Sequence, residues 1–177
     1  NRLNEGQLFW LGNEAKGESF RWESTPEHDL LYAQHRGYVR LNPPVTHKRQ
    51  IYFDKGQGFW IVRDTLTGTG SHQLEWYFHF DTDIDVKETG DLTFHTRCEQ
   101  GANLALKAIN PAPDLSWAIS DAWVSRRYGV KSPARTLHFF GSYNLPKALT
   151  FLLYPYRTFD PTAFHAIEKQ AARGAIP

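Results

Sequence analysis

Alternation of apolar and polar residues with a period of two runs through much of the chain and predicts β-strands. The clearest part is residues 45–80, where Val45–Asp54 and His72–Phe80 alternate and Phe59–Thr65, between them, is almost wholly apolar and β-branched or aromatic. A period of two belongs to a strand rather than a helix, and a short continuous apolar run suits a strand covered on both faces. Glycine-containing turns separate the three runs. We therefore predict a three-stranded antiparallel meander at the centre of a sheet.

Shorter alternating runs on both sides of this segment predict further strands. They lie at Ser19–Glu23, Asp29–His35, Tyr38–Leu41, Asp91–Cys98, Asn103–Ile109, Ser116–Ser120, Ala122–Arg126, Arg135–Tyr143 and Leu149–Tyr154. Acidic or proline-containing segments at residues 81–85 and 110–114 predict turns, and residues 127–133 predict a loop. Residues 1–18 show no regular pattern beyond a short apolar patch at residues 8–11.

One helix is predicted, near the C-terminal end. Asp160 is a favourable N-cap and Pro161 suits the first helical position. The apolar residues that follow keep to one stripe of a helix: Ala163, Phe164, Ile167 and Ala171. About a dozen antiparallel strands with one short C-terminal helix predict an all-β fold, an antiparallel β-sandwich. No repeat or linker interrupts the pattern, so we predict a single domain over residues 1–177.

Composition fits this fold and narrows the function. Aromatic residues make up 15% of the chain, with 6 Trp and 8 Tyr, which favour half-buried pleated surfaces. The formal net charge is +1, from 20 basic and 19 acidic residues. This balance argues against nucleic acid or an acidic membrane as a partner. Cys98, the one cysteine, has no internal disulfide partner, and no apolar run reaches the ~20 residues of a membrane span.

The chain contains no methionine, not even at its first position, Asn1, and no signal peptide is apparent. We therefore expect a piece of a longer multidomain protein, monomeric by itself. The cysteine content leaves the compartment open.

The eight histidines suggest no self-contained metal site. No His-x-His pair occurs, and His72 and His79 are an odd number of residues apart, so on one strand they point to opposite faces. A site assembled across strands from His47, Asp64 and a third ligand stays open. The favoured interpretation is a cross-strand network, with Arg49, that holds a hairpin together.

Arg126, Arg127 and Tyr128 form a basic and aromatic group at a predicted loop. Arginine binds carboxylate or sulfate in a bidentate manner, so the group suits an anionic sugar, although a solvated loop fits equally well. Most of the tryptophans are expected in the core. The sequence has no nucleophile elbow, phosphate loop or dinucleotide fingerprint, so the residues alone do not specify an enzyme.

Several motifs together resemble one family. They are Ala33-x-His35-x-Gly37-Tyr38, Val45–Ile51, Phe59–His72, Phe78–Phe80, Ser125–Ala134 and Leu145–Pro155. Taken together they resemble the C-terminal domain of the heparinase II/III-like polysaccharide lyases over most of the chain. The central motif is specific, because it combines His, Arg, Trp, Asp and Gly at fixed spacing.

The resemblance implies an α/α-toroid joined to an antiparallel β-sandwich, and cleavage of uronate-containing polysaccharides by β-elimination. In that chemistry a Tyr or His removes the proton α to the uronate carboxyl, while Asn, His, Arg or a metal neutralises the carboxyl. The toroid carries most catalytic residues, and the His-Asn-Thr segment of the family's sandwich is absent here. We therefore assign no catalytic residue and no metal ligand to this chain.

The resemblance defines candidate residues and partners. Candidates for substrate binding are His47, Arg49, Arg126, Arg127 and Tyr128, and motif residues with a structural role are Trp60, Asp64, His72 and His79. No cofactor is expected in this chain, whereas the resemblance implies that the parent family can bind a divalent metal such as zinc. The expected partners are the parent's α/α-toroid and an anionic polysaccharide, without nucleic acid or membrane.

The expected function is to support the substrate cleft of a bacterial periplasmic or secreted parent lyase, without activity alone. Two alternatives stay open. A carbohydrate-binding module requires an exposed aromatic platform or a basic groove. A structural interdomain scaffold predicts an exposed apolar patch.

Overall fold

Two antiparallel sheets face each other in the computed structural model, which describes residues 2–3, 6, 11–12, 15, 17–99 and 101–174. The strands are β1 Arg2–Leu3, β2 Leu11–Gly12, β3 Gly17–Ser24, β4 His28–His35, β5 Val45–Asp54, β6 Phe59–Gly68, β7 Ser71–His79, β8 Asp85–Gly90, β9 Thr93–Arg97, β10 Asn103–Ile109, β11 Ser116–Arg127, β12 Val130–Asn144 and β13 Lys147–Tyr156, and the helix is α1 Pro161–Ala172. The large sheet has the order β3-β4-β5-β6-β13-β10-β9-β8, the small one β11-β12-β7, and β1 pairs with β2. The predicted all-β sandwich with one C-terminal helix is confirmed.

The predicted meander is wrong in its third strand. β5 and β6 form a hairpin, but β7 leaves the large sheet and pairs with β12, while β13 lies beside β6. Leu74 and Trp76 of β7 explain the change, because both are buried in the core between the two sheets. A glycine-rich turn is compatible with a hairpin, but it also allows the chain to cross from one sheet to the other.

Other predicted elements differ in length. Residues 38–41 form turns rather than a strand, and β8 occupies residues 85–90 next to the predicted acidic turn. The two short strands predicted after residue 115 are one continuous strand, β11. The predicted loop at residues 127–133 is a two-residue turn, Tyr128-Gly129, in which Gly129 has φ +74°. Most of the apolar patch predicted at residues 8–11 lies outside the described residues.

Two apolar cores lie on opposite faces of the large sheet. The core between the sheets includes Trp76, Phe94, Leu137, Phe139 and Phe151. The second core lies under α1 and includes Tyr52, Phe59, Ile61, Leu152, Phe164 and Ile167. β6 buries Phe59 and Ile61 in the second core, whereas on its inner face Leu66 is buried but Trp60 and Val62 are only half-buried. The cover on both faces that its apolar run predicts is therefore complete on one face and partial on the other.

The helix begins as the sequence predicts. The Asp160 carboxylate accepts hydrogen bonds from the backbone N–H groups of Thr162, at 2.9 Å, and Ala163, at 3.1 Å. No helix in the described part of the chain is long and apolar enough to cross a membrane.

The small sheet covers only part of the large one. A row of cross-strand neighbours on the inner face runs from Trp22 through Leu31, Ile51 and Val62 to Phe151. Phe151 is fully buried, whereas Trp22 is 57% exposed. We call the uncovered inner surface of β3–β6 the open face.

The open face carries apolar and aromatic side chains on all four strands: Phe20, Trp22, Leu31, Ala33, Ile51, Phe53, Trp60 and Val62.

The far end of the small sheet is a two-stranded projection. β7 pairs with β12 only over residues 136–144 of β12. Apart from a backbone hydrogen bond that Phe80 N–H donates to the Arg135 carbonyl oxygen, residues 121–135 of β11 and β12 pair with each other. We call residues 121–135 the arm.

Candidate functional site

A polar cluster lies on the inner face of the large sheet, at the boundary between the covered core and the open face. The antiparallel register places His35 opposite His47 and Arg49 opposite Asp64. Cross-strand partners point to the same face of a sheet, so these four side chains from β4, β5 and β6 converge. The sequence therefore assembles the cluster through strand pairing alone.

The cluster is one directed chain of hydrogen bonds. His47 Nε2 lies 2.7 Å from Asp64 Oδ1, and His35 Nε2 lies 3.0 Å from His47 Nδ1. An ionised carboxylate only accepts, so His47 Nε2 carries a proton and Nδ1 accepts from His35 Nε2–H. The backbone N–H of Gly37 donates to the remaining nitrogen, His35 Nδ1, at 3.2 Å. Both imidazoles are satisfied in their neutral forms.

Asp64 anchors this chain. It is fully buried, and Arg49 donates to it twice, from Nε to Oδ1 and from Nη2 to Oδ2, each at 2.7 Å. Burial raises the pKa of Asp64, but the hydrogen bonds from His47 and Arg49 outweigh burial, so its pKa lies below the ordinary value. The hydrogen bond to Asp64 also raises the pKa of Arg49. The pair is therefore ionised and fixed in a bidentate geometry.

The network leaves no free imidazole nitrogen for proton abstraction. Every ring nitrogen of His35 and His47 has a partner, and protonation of either acceptor nitrogen breaks a hydrogen bond. Burial, aided by His47 and Arg49, lowers the pKa of His35. The arrangement is suited to hold strands and a loop in place rather than to accept a substrate proton.

A cleft of about 520 Å³ opens beside the cluster. Its walls come from both sheets: His35, Tyr38, Leu41, Val45, His47, Arg49, Asp64 and Leu66 from the large sheet and its β4–β5 loop, and His72, Gln73, Leu74, Glu75, Trp76 and Tyr77 from β7. Glu75 accepts a hydrogen bond from the Tyr77 hydroxyl at 2.6 Å. Since Asp64 balances Arg49, the Glu75 carboxylate gives the cleft no excess of positive charge.

A metal site does not form here. Within the residues that the structure describes, no group of three His, Cys, Asp or Glu side chains is placed to hold a metal ion. His47 and Asp64, the two residues considered for a cross-strand metal site, instead take part in the hydrogen-bond network with Arg49.

The structure brings four of the candidate residues together and separates the others. His47, Arg49, Asp64 and His72 all line the cleft. His72 is placed there by a hydrogen-bonding contact from its Nε2 to the Thr69 carbonyl oxygen at 3.1 Å.

Two motif residues lie elsewhere. Trp60 stacks on Phe53 on the open face, with 4.4 Å between ring centroids. His79 belongs to the small sheet, where its Nδ1 lies 3.0 Å from Thr136 Oγ1 and its ring stacks parallel to Tyr77.

The basic and aromatic candidates lie on the arm, separate from the cleft. Arg126 is held by Asp81, with Nε donating to Oδ1 at 3.0 Å and Nη2 donating to Oδ2. Tyr128 is fully exposed at the turn, and Arg127 precedes it. The five candidates for substrate binding therefore do not form one site.

His35 and Tyr38 line the cleft, although neither is among the candidates from the sequence. In an antiparallel pair of strands, one known pair of opposite residues fixes all the other pairs. The register that joins Ala33 to Arg49 therefore also places His35 opposite His47. The sequence carries both histidines in its motifs, but it does not state the register. Tyr38, in the loop, has no signal of this kind beyond its place in the motif.

A family model described as heparinase II/III-like, C-terminal, matches residues 4–170. No curated protein sequence matches the chain significantly.

Three solved structures share the fold. A heparan sulfate lyase mutant from Pedobacter heparinus has a TM-score of 0.69 and 20% identity, covering 82% of this chain and 22% of that one. A heparinase III gene product with methylated lysines has a TM-score of 0.67 and 18% identity, with the same coverage, 82% and 22%. A heparinase III crystal structure has a TM-score of 0.64 and 14% identity, covering 81% and 22%. The chain thus spans 22% of the length of each of these proteins.

Proposed function

We propose a function from the premise that this chain belongs to the heparinase II/III-like C-terminal family, whose model covers residues 4–170. The chain acts as the C-terminal β-sandwich of a lyase that cleaves uronate-containing polysaccharide by β-elimination. It supports the substrate cleft and has no activity alone. The structural relatives, a heparan sulfate lyase and heparinase III, favour an anionic glycosaminoglycan as the substrate of the parent.

The observation that carries the supporting role is the closed hydrogen-bond network around Asp64. A β-eliminating enzyme needs a base with a free lone pair beside the uronate carbon, and a cation or donor on its carboxyl. His35 and His47 have no free nitrogen, and Arg49 is bound to Asp64 through two of its nitrogens. The network instead fastens three strands and the start of the loop after β4. That loop supplies Tyr38 to the cleft wall.

The open face supports the scaffold part of the proposal. It exposes Phe20 by 76% and Trp22 by 57%, beside half-buried side chains on β4 to β6. A contiguous apolar surface of this kind is typical of a contact with another domain. We propose that the parent's α/α-toroid covers it.

The proposal is tested by comparing the 177-residue chain with the longer parent. Both are incubated with heparan sulfate, chondroitin sulfate and alginate, and the absorbance of the unsaturated uronate product is recorded. We expect product from the parent with at least one polymer and none from the chain alone. Product from the chain alone, or none from the parent with any polymer, contradicts the proposal.

The role of the network is tested in the parent with His47→Ala. A supporting role predicts a loss of activity that follows the loss of folded protein, with the pH profile of kcat unchanged. A catalytic base predicts a folded enzyme whose kcat falls by about a hundredfold or more and whose pH profile loses a limb. The second result would identify His47 as a catalytic residue.

A further inference from the structure

The arm carries a charge imbalance that the whole-chain balance conceals. Residues 121–135 contain four basic side chains and one acidic side chain, a net charge of +3, whereas the whole chain has a net charge of +1. The remaining residues therefore sum to −2. A local excess of one sign on an exposed projection creates a field that attracts ligands of the opposite sign.

Two of the four cations are free to bind a ligand. Arg126 is paired with Asp81, and Arg135 is paired with Asp121 at the base of the arm. In the described part of the chain neither Arg127 nor Lys131 forms an ion pair. The free charge is therefore concentrated at the tip.

Aromatic and apolar surface lies next to one of these cations, Lys131, whereas Arg127 pairs with Val130 and so lies on the other face of the arm. Trp123 is 61% exposed, and the Lys131 Nζ lies 4.1 Å from the centroid of its ring. Trp123, Val130 and Lys131 border a hollow of about 480 Å³, and Tyr128 projects fully into solvent beside it. An exposed indole beside an ammonium group offers an apolar face together with a ligand for an anion.

We infer that the tip of the arm is a binding site for an anionic oligosaccharide. A pyranose ring packs against Trp123, and a carboxylate or sulfate group binds Lys131. The inference rests on the proposed function for the class of ligand, and it deepens that function by placing a sugar contact outside the cleft. One free cation beside an indole matches a single anionic group on a sugar, rather than the continuous row of phosphates along a nucleic acid.

The test is a titration of the 177-residue chain with heparan sulfate oligosaccharides, followed by calorimetry and by chemical shifts of the arm. Neutral dextran oligosaccharides and a short single-stranded DNA serve as comparison ligands. We expect binding of the sulfated sugar that weakens with added salt, with shifts at Trp123 and Lys131. Dextran should not bind.

Matched variants separate a specific site from general charge. Lys131→Gln removes the free cation beside Trp123, and we expect the Kd to rise about tenfold. Arg135→Gln removes the same charge from the same arm, but at a paired residue, and we expect less than about a twofold change. Trp123→Ala should weaken binding by about fivefold, whereas Trp22→Ala, at an equally exposed tryptophan of the open face, should leave it unchanged.

Three results overturn the inference: absence of binding at millimolar sugar, equal effects of Lys131→Gln and Arg135→Gln, or tighter binding of the DNA than of the sugar. Failure of the proposed function is separate, because an inactive parent whose isolated chain still binds through the arm leaves the inference intact. Conversely, if the parent is active and its KM is unchanged by Lys131→Gln and Trp123→Ala, the inference about the arm fails and the proposed function stands.

Discussion

Asp64 is the residue on which the polar cluster depends. It is a fully buried carboxylate that accepts hydrogen bonds from the side chains of His47 and Arg49. The sequence predicts these three residues as a cross-strand network, because Arg49 and Asp64 lie on adjacent strands of a hairpin. It does not predict that His35 extends the network, since this needs the register of β4 as well.

We predict that Asp64→Asn destabilises the chain by about 3 kcal/mol, because it leaves Arg49 without its counter-charge and replaces one acceptor oxygen by an NH2 donor that faces other donors. Urea unfolding at neutral pH measures the change. Asp81→Asn is the matched control, because its ion pair with Arg126 is exposed and should contribute little. Equal effects of the two substitutions would contradict a structural role for the network.

Stability should fall as the pH falls below about neutrality. Burial lowers the pKa values of His35 and His95 below their ordinary 6.5. As the pH drops through 6.5, the unfolded chain takes up these protons before the folded chain does, so the free energy of unfolding decreases until the lower folded pKa values are passed. The lowered pKa of Asp64 also makes the free energy of unfolding decrease as the pH falls, but this effect is confined to the acidic range near and below its ordinary pKa of 3.8.

The measurement for this pH effect is urea unfolding between about pH 8 and about pH 5, repeated for His35→Gln and His95→Gln. We expect each variant to have a shallower slope of unfolding free energy against pH than the unsubstituted chain. A slope that neither variant changes, or a stability that rises toward pH 5, would show that other groups control this range.

Among the elements, strand positions were predictable and strand partners were not. β5 and β10 have the predicted bounds, because alternation is a local property. The neighbour of β6 is β13, which lies far along the chain, so no local pattern identifies it. The same limit applies to β7, whose partner β12 lies far along the chain. The turn at Tyr128-Gly129 joins two neighbouring strands, and it is shorter than the predicted loop because β11 and β12 extend beyond their alternating runs.

The helix α1 was predicted correctly from its cap and stripe, and its packing is testable. Ile167 is almost fully buried in the core under the helix. We expect Ile167→Ala to destabilise the chain by about 3 kcal/mol, from lost apolar burial and the cavity that remains. Lys169→Ala, on the exposed side, should change the thermal midpoint little. Similar midpoints for the two variants would mean that α1 contributes little to the core.

At the scale of the whole molecule, two surfaces lack cover within the described residues: the open face and the arm. The open face is apolar and broad, whereas the arm is basic and narrow. The first suits a protein contact and the second suits an anionic sugar. The two alternatives that the sequence leaves open, a scaffold and a carbohydrate-binding module, therefore correspond to different parts of one molecule.

The open face gives the last prediction, which concerns the longer parent protein. Trp22→Ser should leave the unfolding free energy of the 177-residue chain nearly unchanged, because the indole is largely exposed. In the parent it should cost about 2 kcal/mol, because the proposed toroid contact removes that indole from water. Tyr32→Ser is the control, since Tyr32 is 40% exposed but lies on the opposite face of β4, and it should have the same effect in both proteins. If Trp22→Ser also has equal effects in both, the toroid does not cover the open face.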